Sequence, residues 1–404
     1  MSVKLVGLGQ LGLPLFQVEN SGFSRRNDYE DVITSTFYGA EAQSHLGSIS
    51  KHFEDDERLN ILERDGTLVA HGNGASQFTR ELFFTWIVYR GNQVGLARAL
   101  QEAKAYLAAT SVQTVSIQYL IGPELDERVE IDDSTSLMPA RELEDALERD
   151  EFADAEEFRL LSVATPTAAL VTKGYVPKIY DESNLSDSSA VRQKMYTLSL
   201  LLNALDGVFC FPGYSTERLA PDVPLGMFAG RSGGYTVYDF LPMERCRIDA
   251  ELVAPRLRKL YHSFQAGSDR FHSRLRIALE RLGAAKSKMS DAERALDLGI
   301  ALEILLLDND RGDQLRTTAG LRGAWLVGEN ATSRLRVFKL LREVYDARSS
   351  VAHSGELKKN NLSKEHYDLV SAVARAVILS EKLRTQDEWM SIVLGDAVAL
   401  PDPL

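Results

Sequence analysis

The sequence predicts an α+β protein, with a mixed α/β N-terminal region followed by an all-α helical bundle. Before Asp249, stretches with helical spacing alternate with short runs rich in β-branched and aromatic residues. After Asp249 the strand signal nearly vanishes. Phe271–Ala285, Asp291–Leu307, Asp313–Val327, Ser333–Ala352 and Ser363–Arg384 then follow as helical patterns separated by short polar or glycine-containing joints. Charge changes at the same place: residues 1–250 hold 22 Lys/Arg against 37 Asp/Glu, and residues 251–384 hold 24 against 17.

In chain order, Val3–Val6 reads as a strand running into Gly7-Leu8-Gly9-Gln10-Leu11-Gly12, which satisfies the glycine pattern of a dinucleotide-binding turn. The residues that follow offer no amphipathic helix and no second strand ending in an acid, so a glycine-rich hairpin or loop is expected and no cofactor is assigned. Gln93–Ala108 predicts a helix and Val112–Ile121 a strand. The almost wholly acidic stretch Glu142–Phe158 predicts a surface helix or linker. Ser188–Ala204 predicts a helix with Asp187 or Ser186 as cap. Val208–Phe211 and Tyr235–Leu241 predict strands around a turn at Gly230–Gly234. The implied organisation is a mixed domain over 1–140, the acidic joint 141–158, an α+β continuation over 159–249, a helical domain over 250–390 and a tail from 391 to 404.

The 404 residues are enough for two or three cores, and 44% hydrophobic with 26% charged residues is an ordinary balance for a soluble chain. No apolar run approaches membrane-spanning length, and Met1–Gly12 lacks the layout of a secretory signal. A cytoplasmic protein without membrane association is expected. Cys210 and Cys246, the only cysteines, form no paired ligand spacing, and the histidines form no compact set, so no metal site is assigned. A net charge of −12 argues against nucleic acid at first sight. The regional split admits two readings: an acidic half masking a basic module, or two solvated faces balanced for solubility.

Within the bundle, Asp291–Leu307 is apolar around nearly its whole circumference. It is expected to be the central helix, with Glu303 as the carboxylate that must find a partner. The segment Tyr345–Gly355, YDARSSVAHSG, carries the best lead to function. Arginine followed after four to six residues by histidine occurs three times, at Arg64 to His71, Arg256 to His262 and Arg348 to His353, and only the last lies where a helical pattern stops at a serine-glycine joint. Val337, Leu340, Leu341 and Val344 form an apolar stripe, and Arg348 falls on or beside it, at the rim, paired with Glu303 or Asp346, or lining a cleft. His353 lies five residues on, which turns it ~140° away in an unbroken helix. For both to reach one phosphate, either the helix loosens or two protomers compose the site. Otherwise His353 is a C-capping histidine.

The segment resembles the end of a HEPN domain of the Apea-like subgroup, in which a tyrosine-led helix passes through Arg-Ser into a small apolar-His-Gly ending. The matching residues are Tyr345, Arg348, Ser349, Val351, His353 and, one position late, Gly355, and the helix carrying Glu303 resembles that family's central helix. The likeness covers about residues 270–385 and departs at Ser349, often a stronger polar residue in the family, and at Ser354 between histidine and glycine. It implies a metal-independent endoribonuclease acting on RNA as a homodimer, with Arg348 and His353 catalytic and Ser349, Tyr345 and Glu303 auxiliary. It also implies an effector of a bacterial defence or toxin-type system, with an N-terminal region sensing a protein or small-molecule trigger. The alternative is a non-catalytic HEPN-type dimerisation or nucleotide- or partner-binding protein.

Overall fold

Strands and helices follow from local pattern, and their order places the bundle beside a sheet. The computed structural model describes residues 2–8, 10–11, 13–19, 40–64, 67–71, 74–143, 166–179, 185–220, 223, 232–234, 245–288, 290–307, 314–357 and 362–394. The expected strand Tyr235–Leu241, residues 144–158 of the acidic joint, and Gly9, Gly12, Gly230, Arg231 and Asp313 lie outside these residues.

The chain opens as a hairpin of β1 (Ser2–Leu8) and β2 (Pro14–Glu19), antiparallel with an irregularity between Leu5 and Gly7. The glycine-rich stretch therefore joins two strands, as its lack of a following helix suggested. Next come α1 (Ala40–Ser50), α2 (Glu57–Leu62), the hairpin β3 (Leu68–His71) and β4 (Gly74–Gln77), then α3 (Arg80–Val94) and α4 (Leu96–Ala108). Phe53, Phe78, Phe83, Trp86 and Tyr106 fill a core of their own here. The single helix expected over Gln93–Ala108 is in fact two. Gly95, at φ 92°, separates them, and a Cβ at that position would lie 2.7 Å from Gln10 Oε1.

The central strand β5 (Ser111–Ile121) is followed by β6 (Pro123–Glu124), β7 (Val129–Glu130), β8 (Thr135–Pro139), β9 (Ala168–Pro177), β10 (Phe211–Leu219), β11 (Ser232–Gly234) and β12 (Cys246–Arg247). Six of them form one antiparallel sheet in the order β11-β10-β5-β9-β8-β7, and β12 pairs in parallel with β6. Two strand assignments change. The expected strand Val208–Phe211 is mostly irregular chain, with the strand starting only at Phe211, because Asn203 bonds Cys210 through both its amide atoms (Oδ1 to N 2.7 Å, Nδ2 to O 3.1 Å). Residues 232–234 of the expected turn are an edge strand against Ser215–Glu217.

Helix α5 (Leu185–Leu202) starts ahead of Ser188, which puts the expected caps Ser186 and Asp187 inside its first turn. It packs on β5, β9 and β10 with one side. The other side meets α6 (Ala250–Gln265) and α7 (Asp269–Ser287). Asp249 caps α6, its Oδ1 accepting from the N–H groups of Glu251 (3.0 Å) and Leu252 (3.4 Å). The bundle continues with α8 (Asp291–Leu306), α9 (Leu315–Val327), α10 (Ala331–Ser354), α11 (Lys364–Leu379) and α12 (Gln386–Leu394). The expected helix Ser363–Arg384 stops at Leu379, where Glu381 takes a left-handed φ of 59°, and α12 spans the 390/391 joint. One apolar core runs from Leu120, Leu137 and Leu170 of the sheet through Leu198 and Leu202 of α5 into the bundle. Among the described residues, no helix is long and apolar enough to cross a membrane.

Candidate functional site

The centre of the bundle is α8, as its all-round apolarity required: Leu298, Ala301, Leu302 and Leu305 are buried. It lies antiparallel to α10, because Gly299 and Glu303 face Arg348 and Tyr345 while Leu306 and Leu341 meet across Gly323 of α9. On α10 the buried stripe is Val337, Leu341, Val344 and Ala347, and Arg348 sits beside it. The crossing is close. A Cβ on Gly299 would fall 2.3 Å from Arg348 Cβ and 2.4 Å from its Cγ, so only glycine lets the arginine stem lie across α8.

Among the sites open to Arg348, the structure places it with Glu303: its Nη2 donates to Glu303 Oε2 at 3.1 Å, with side chains 27% and 24% exposed. Asp346, the other carboxylate in reach by sequence, pairs instead with Arg316 of α9. Arg348 Nε is buried and makes no hydrogen bond. Tyr345 completes a triad. Burial raises its hydroxyl above the usual phenol range, and the charge of Glu303 and a hydrogen bond to it raise it further against the opposing charge of Arg348. Three of the five sequence-derived site residues, Glu303, Tyr345 and Arg348, therefore meet.

The other two do not join them. Ser349 is half-buried on α10, and His353 is exposed in the last turn. The helix does not loosen between Ser350 and His353. It runs to Ser354 and closes on Gly355 in the left-handed conformation (φ 72°), whose N–H donates to Val351 O at 2.8 Å. Ser354 Oγ donates to Ser350 O at 2.7 Å and Ser350 Oγ to Glu356 O at 3.0 Å. These contacts finish the helix end without the imidazole, so the C-cap reading of His353 gives way to Gly355. Among the described residues nothing hydrogen-bonds His353. Arg348 faces inward on α8 and His353 faces solvent ~140° round the axis, so one protomer does not bring them to one phosphate.

Sequence reasoning missed two residues here. Gly299 sets the helix approach, and an isolated glycine inside an apolar helix was the available signal. Asp297 is the deeper carboxylate of α8: at 2% exposure it receives Arg281 at 2.9 Å and Lys288 Nζ at 2.8 Å, the second an ionic contact rather than an aligned hydrogen bond. Among the described residues, no group of three or more His, Cys, Asp or Glu side chains is arranged to hold a metal ion. Compared with protein-family models, curated proteins and solved structures, the chain matches none.

Proposed function

We propose that the protein is a metal-independent endoribonuclease of HEPN type, working in the cytoplasm as a homodimer whose site is composed from two protomers. The observation that carries this reading is the division of labour along α10. Arg348 is held by Glu303 with its side chain 27% exposed, while His353 stands exposed and unbonded about one and a half turns later. RNA supplies its own nucleophile, so a proton acceptor, a proton donor and a cationic clamp suffice.

In this reading one His353 imidazole takes the 2′-hydroxyl proton as O2′ bonds to phosphorus. The P–O5′ bond breaks, and the partner's His353 gives a proton to the departing 5′-oxygen. Arg348 neutralises the charge gathering on the non-bridging oxygens, Glu303 and Tyr345 hold it in place, and Ser349 is an auxiliary donor. The products are a 2′,3′-cyclic phosphate and a 5′-hydroxyl. The acidic N-terminal half fits a sensing or regulatory role in a bacterial defence or toxin-type system.

The test is cleavage of end-labelled RNA in EDTA. Arg348→Ala and His353→Ala homodimers are expected to lose cyclic-phosphate product. A mixed dimer of wild-type and His353→Ala chains is expected to be nearly as inactive as the His353→Ala homodimer, because the step takes one imidazole from each chain. Variants that cleave like wild type would refute the site, and a mixed wild-type/His353→Ala dimer that keeps half of the wild-type rate or more would refute its division between protomers. The Arg348–Glu303 pair also favours a second reading, a non-catalytic dimerisation or nucleotide- or partner-binding bundle. In that case substitutions at 348 and 353 change stability or binding and the wild type turns over no RNA.

A further inference from the structure

The outer face of the hairpin made by α9 and α10 carries a row of cations without carboxylate partners. Arg334 lies over the Trp325 ring at 3.8 Å and Arg342 over the Phe338 ring at 5.2 Å. Each ring holds its guanidinium in place, which lowers the entropy cost of a later contact. Gly320 of α9 makes room for the second pair. A Cβ there would fall 2.8 Å from Phe338 Cδ2 and 3.2 Å from Arg342 Cγ.

The engagements of these cations are few. Arg334 gives Nε to Gly328 O at 3.0 Å and makes no ion pair. Arg342 Nε is buried against the helix pair, and its two terminal nitrogens reach the surface unbonded. Lys339 is exposed beside them. In a chain with 58 Asp/Glu against 46 Lys/Arg, three neighbouring cations without a carboxylate among the described residues depart from an ordinary solvated charge balance. The acids of α10 are used elsewhere: Asp346 takes Arg316, and Glu343, ~100° round the axis from Arg342, takes His366.

The row leads to the exposed histidine. At ~100° per residue, Phe338, Arg342, Ser349 and His353 fall within a sector of ~60° on α10. Arg342 precedes His353 by ~16 Å along the axis and Arg334 precedes it by ~28 Å. Leu335, 54% exposed, and Leu321, 39% exposed and one turn before Trp325 on α9, add apolar surface beside the cations. A duplex keeps its bases stacked inside and would leave such surface bare.

We propose that this seam is a track for single-stranded RNA, with phosphates on Arg334, Lys339 and Arg342, bases on the apolar surface, and the strand continuing to His353. The inference deepens the ribonuclease reading by placing the uncut part of the substrate, and its end at His353 rests on that reading. Guanidinium edges fit phosphate oxygens in pairs, and cations spaced along a groove with apolar and aromatic surface between them suit an unpaired strand.

Fluorescence anisotropy of the full-length chain with a labelled, fully 2′-O-methylated RNA of about sixteen nucleotides tests this, since the blocked 2′-oxygen stops the cleavage proposed above. Saturable binding is expected, roughly tenfold weaker in Lys339→Gln/Arg342→Gln and with a shallower salt dependence, because fewer counterions are released. Lys339→Gln alone, at an exposed position, is expected to weaken binding about threefold without touching the fold. Arg336→Gln, ~120° round α10 from Arg342 and paired with Glu365, is expected to bind as wild type does. The proposal is overturned by absence of binding at micromolar protein, by unchanged affinity in the double variant, by an equal loss in Arg336→Gln, or by tighter binding of duplex than of single strand. Self-association lost in the double variant with RNA affinity unchanged also overturns it, in favour of contact with a second copy of the chain. Binding on the seam by a wild type that cleaves no unmodified RNA keeps the track and refutes the ribonuclease. Cleavage with normal binding in the double variant does the reverse.

Discussion

Lys286 of α7 turns its ammonium into the joint between bundle and sheet, where it donates to the carbonyls of Asn203 (2.7 Å), Leu205 (2.9 Å) and Val208 (2.8 Å). Its three donors close the turn that leads from α5 into β10. Burial pulls this lysine down to about 7, with Asp206 and Asp368 opposing the shift and Arg375 adding to it. The unfolded chain keeps the lysine proton up to ~10.4. Between those values the unfolded state binds the extra proton, so stability is expected to rise from about pH 7 toward pH 10. Urea unfolding at pH 7 and 9.5 measures it, and Lys286→Met should cost about 2 kcal/mol at pH 7 and flatten the rise. An unchanged slope in the variant would mean the three carbonyls keep the proton in place. No sequence signal marked Lys286, because its partners are backbone carbonyls about eighty residues away in the chain. Arg348 and Glu303, by contrast, were legible as charges set on apolar faces, since a buried charge must find its opposite. Asp297 was passed over for the same reason in reverse: its partners Arg281 and Lys288 look like surface residues in the sequence.

At the scale of elements, the α8–α10 crossing shows what a single hydrogen in place of a methyl allows. Gly299→Ala places its Cβ against the stem of Arg348, and α8 and α10 must move apart. The expected cost is about 2 kcal/mol in urea unfolding and, under the proposed ribonuclease function, a drop in RNA cleavage from a displaced Arg348. Wild-type stability in this variant would show that the crossing yields freely. The bundle helices with one apolar stripe were legible from their period. Helices α3 and α6 were not. In α3, every residue from Phe83 to Val88 is buried, so the pattern shows no polar face. Pro255 hid α6, where it sits inside a helix that its neighbours nonetheless complete. The break at Gly95 and the stop after Leu379 depend on tertiary contacts and a left-handed Glu381, neither of which leaves a periodic trace.

For the molecule as a whole, the sequence placed the change of composition at Asp249, and Asp249 does cap the first bundle helix. Composition did not reveal that the core ignores this joint. Leu198, Leu202, Phe209 and Phe211 share one apolar interior with Leu257, Leu260 and Leu279. A fragment of residues 250–404 therefore leaves the α5 side of α6 and α7 uncovered. It is expected to keep far-UV helical signal, lose near-UV fine structure and bind a hydrophobic dye. Cooperative unfolding of the fragment at the full-length Tm would show that the bundle closes alone. The regulatory role proposed for the acidic half is thus better probed by reversing its charges in the intact chain than by cutting it away.

The position of α5 between sheet and bundle also has a meaning in time. A ribosome delivers the sheet strands and α5 well before α6 and α7, and the rest of the bundle, Asp291 to Leu394, follows over about 100 further residues. At ~5–20 residues per second, the nascent chain carries Leu198 and its neighbours on an uncovered helix face for several seconds or more. A holdase that shields short apolar helices would meet its substrate in that interval, and synthesis rate becomes a determinant of how much protein reaches the folded state.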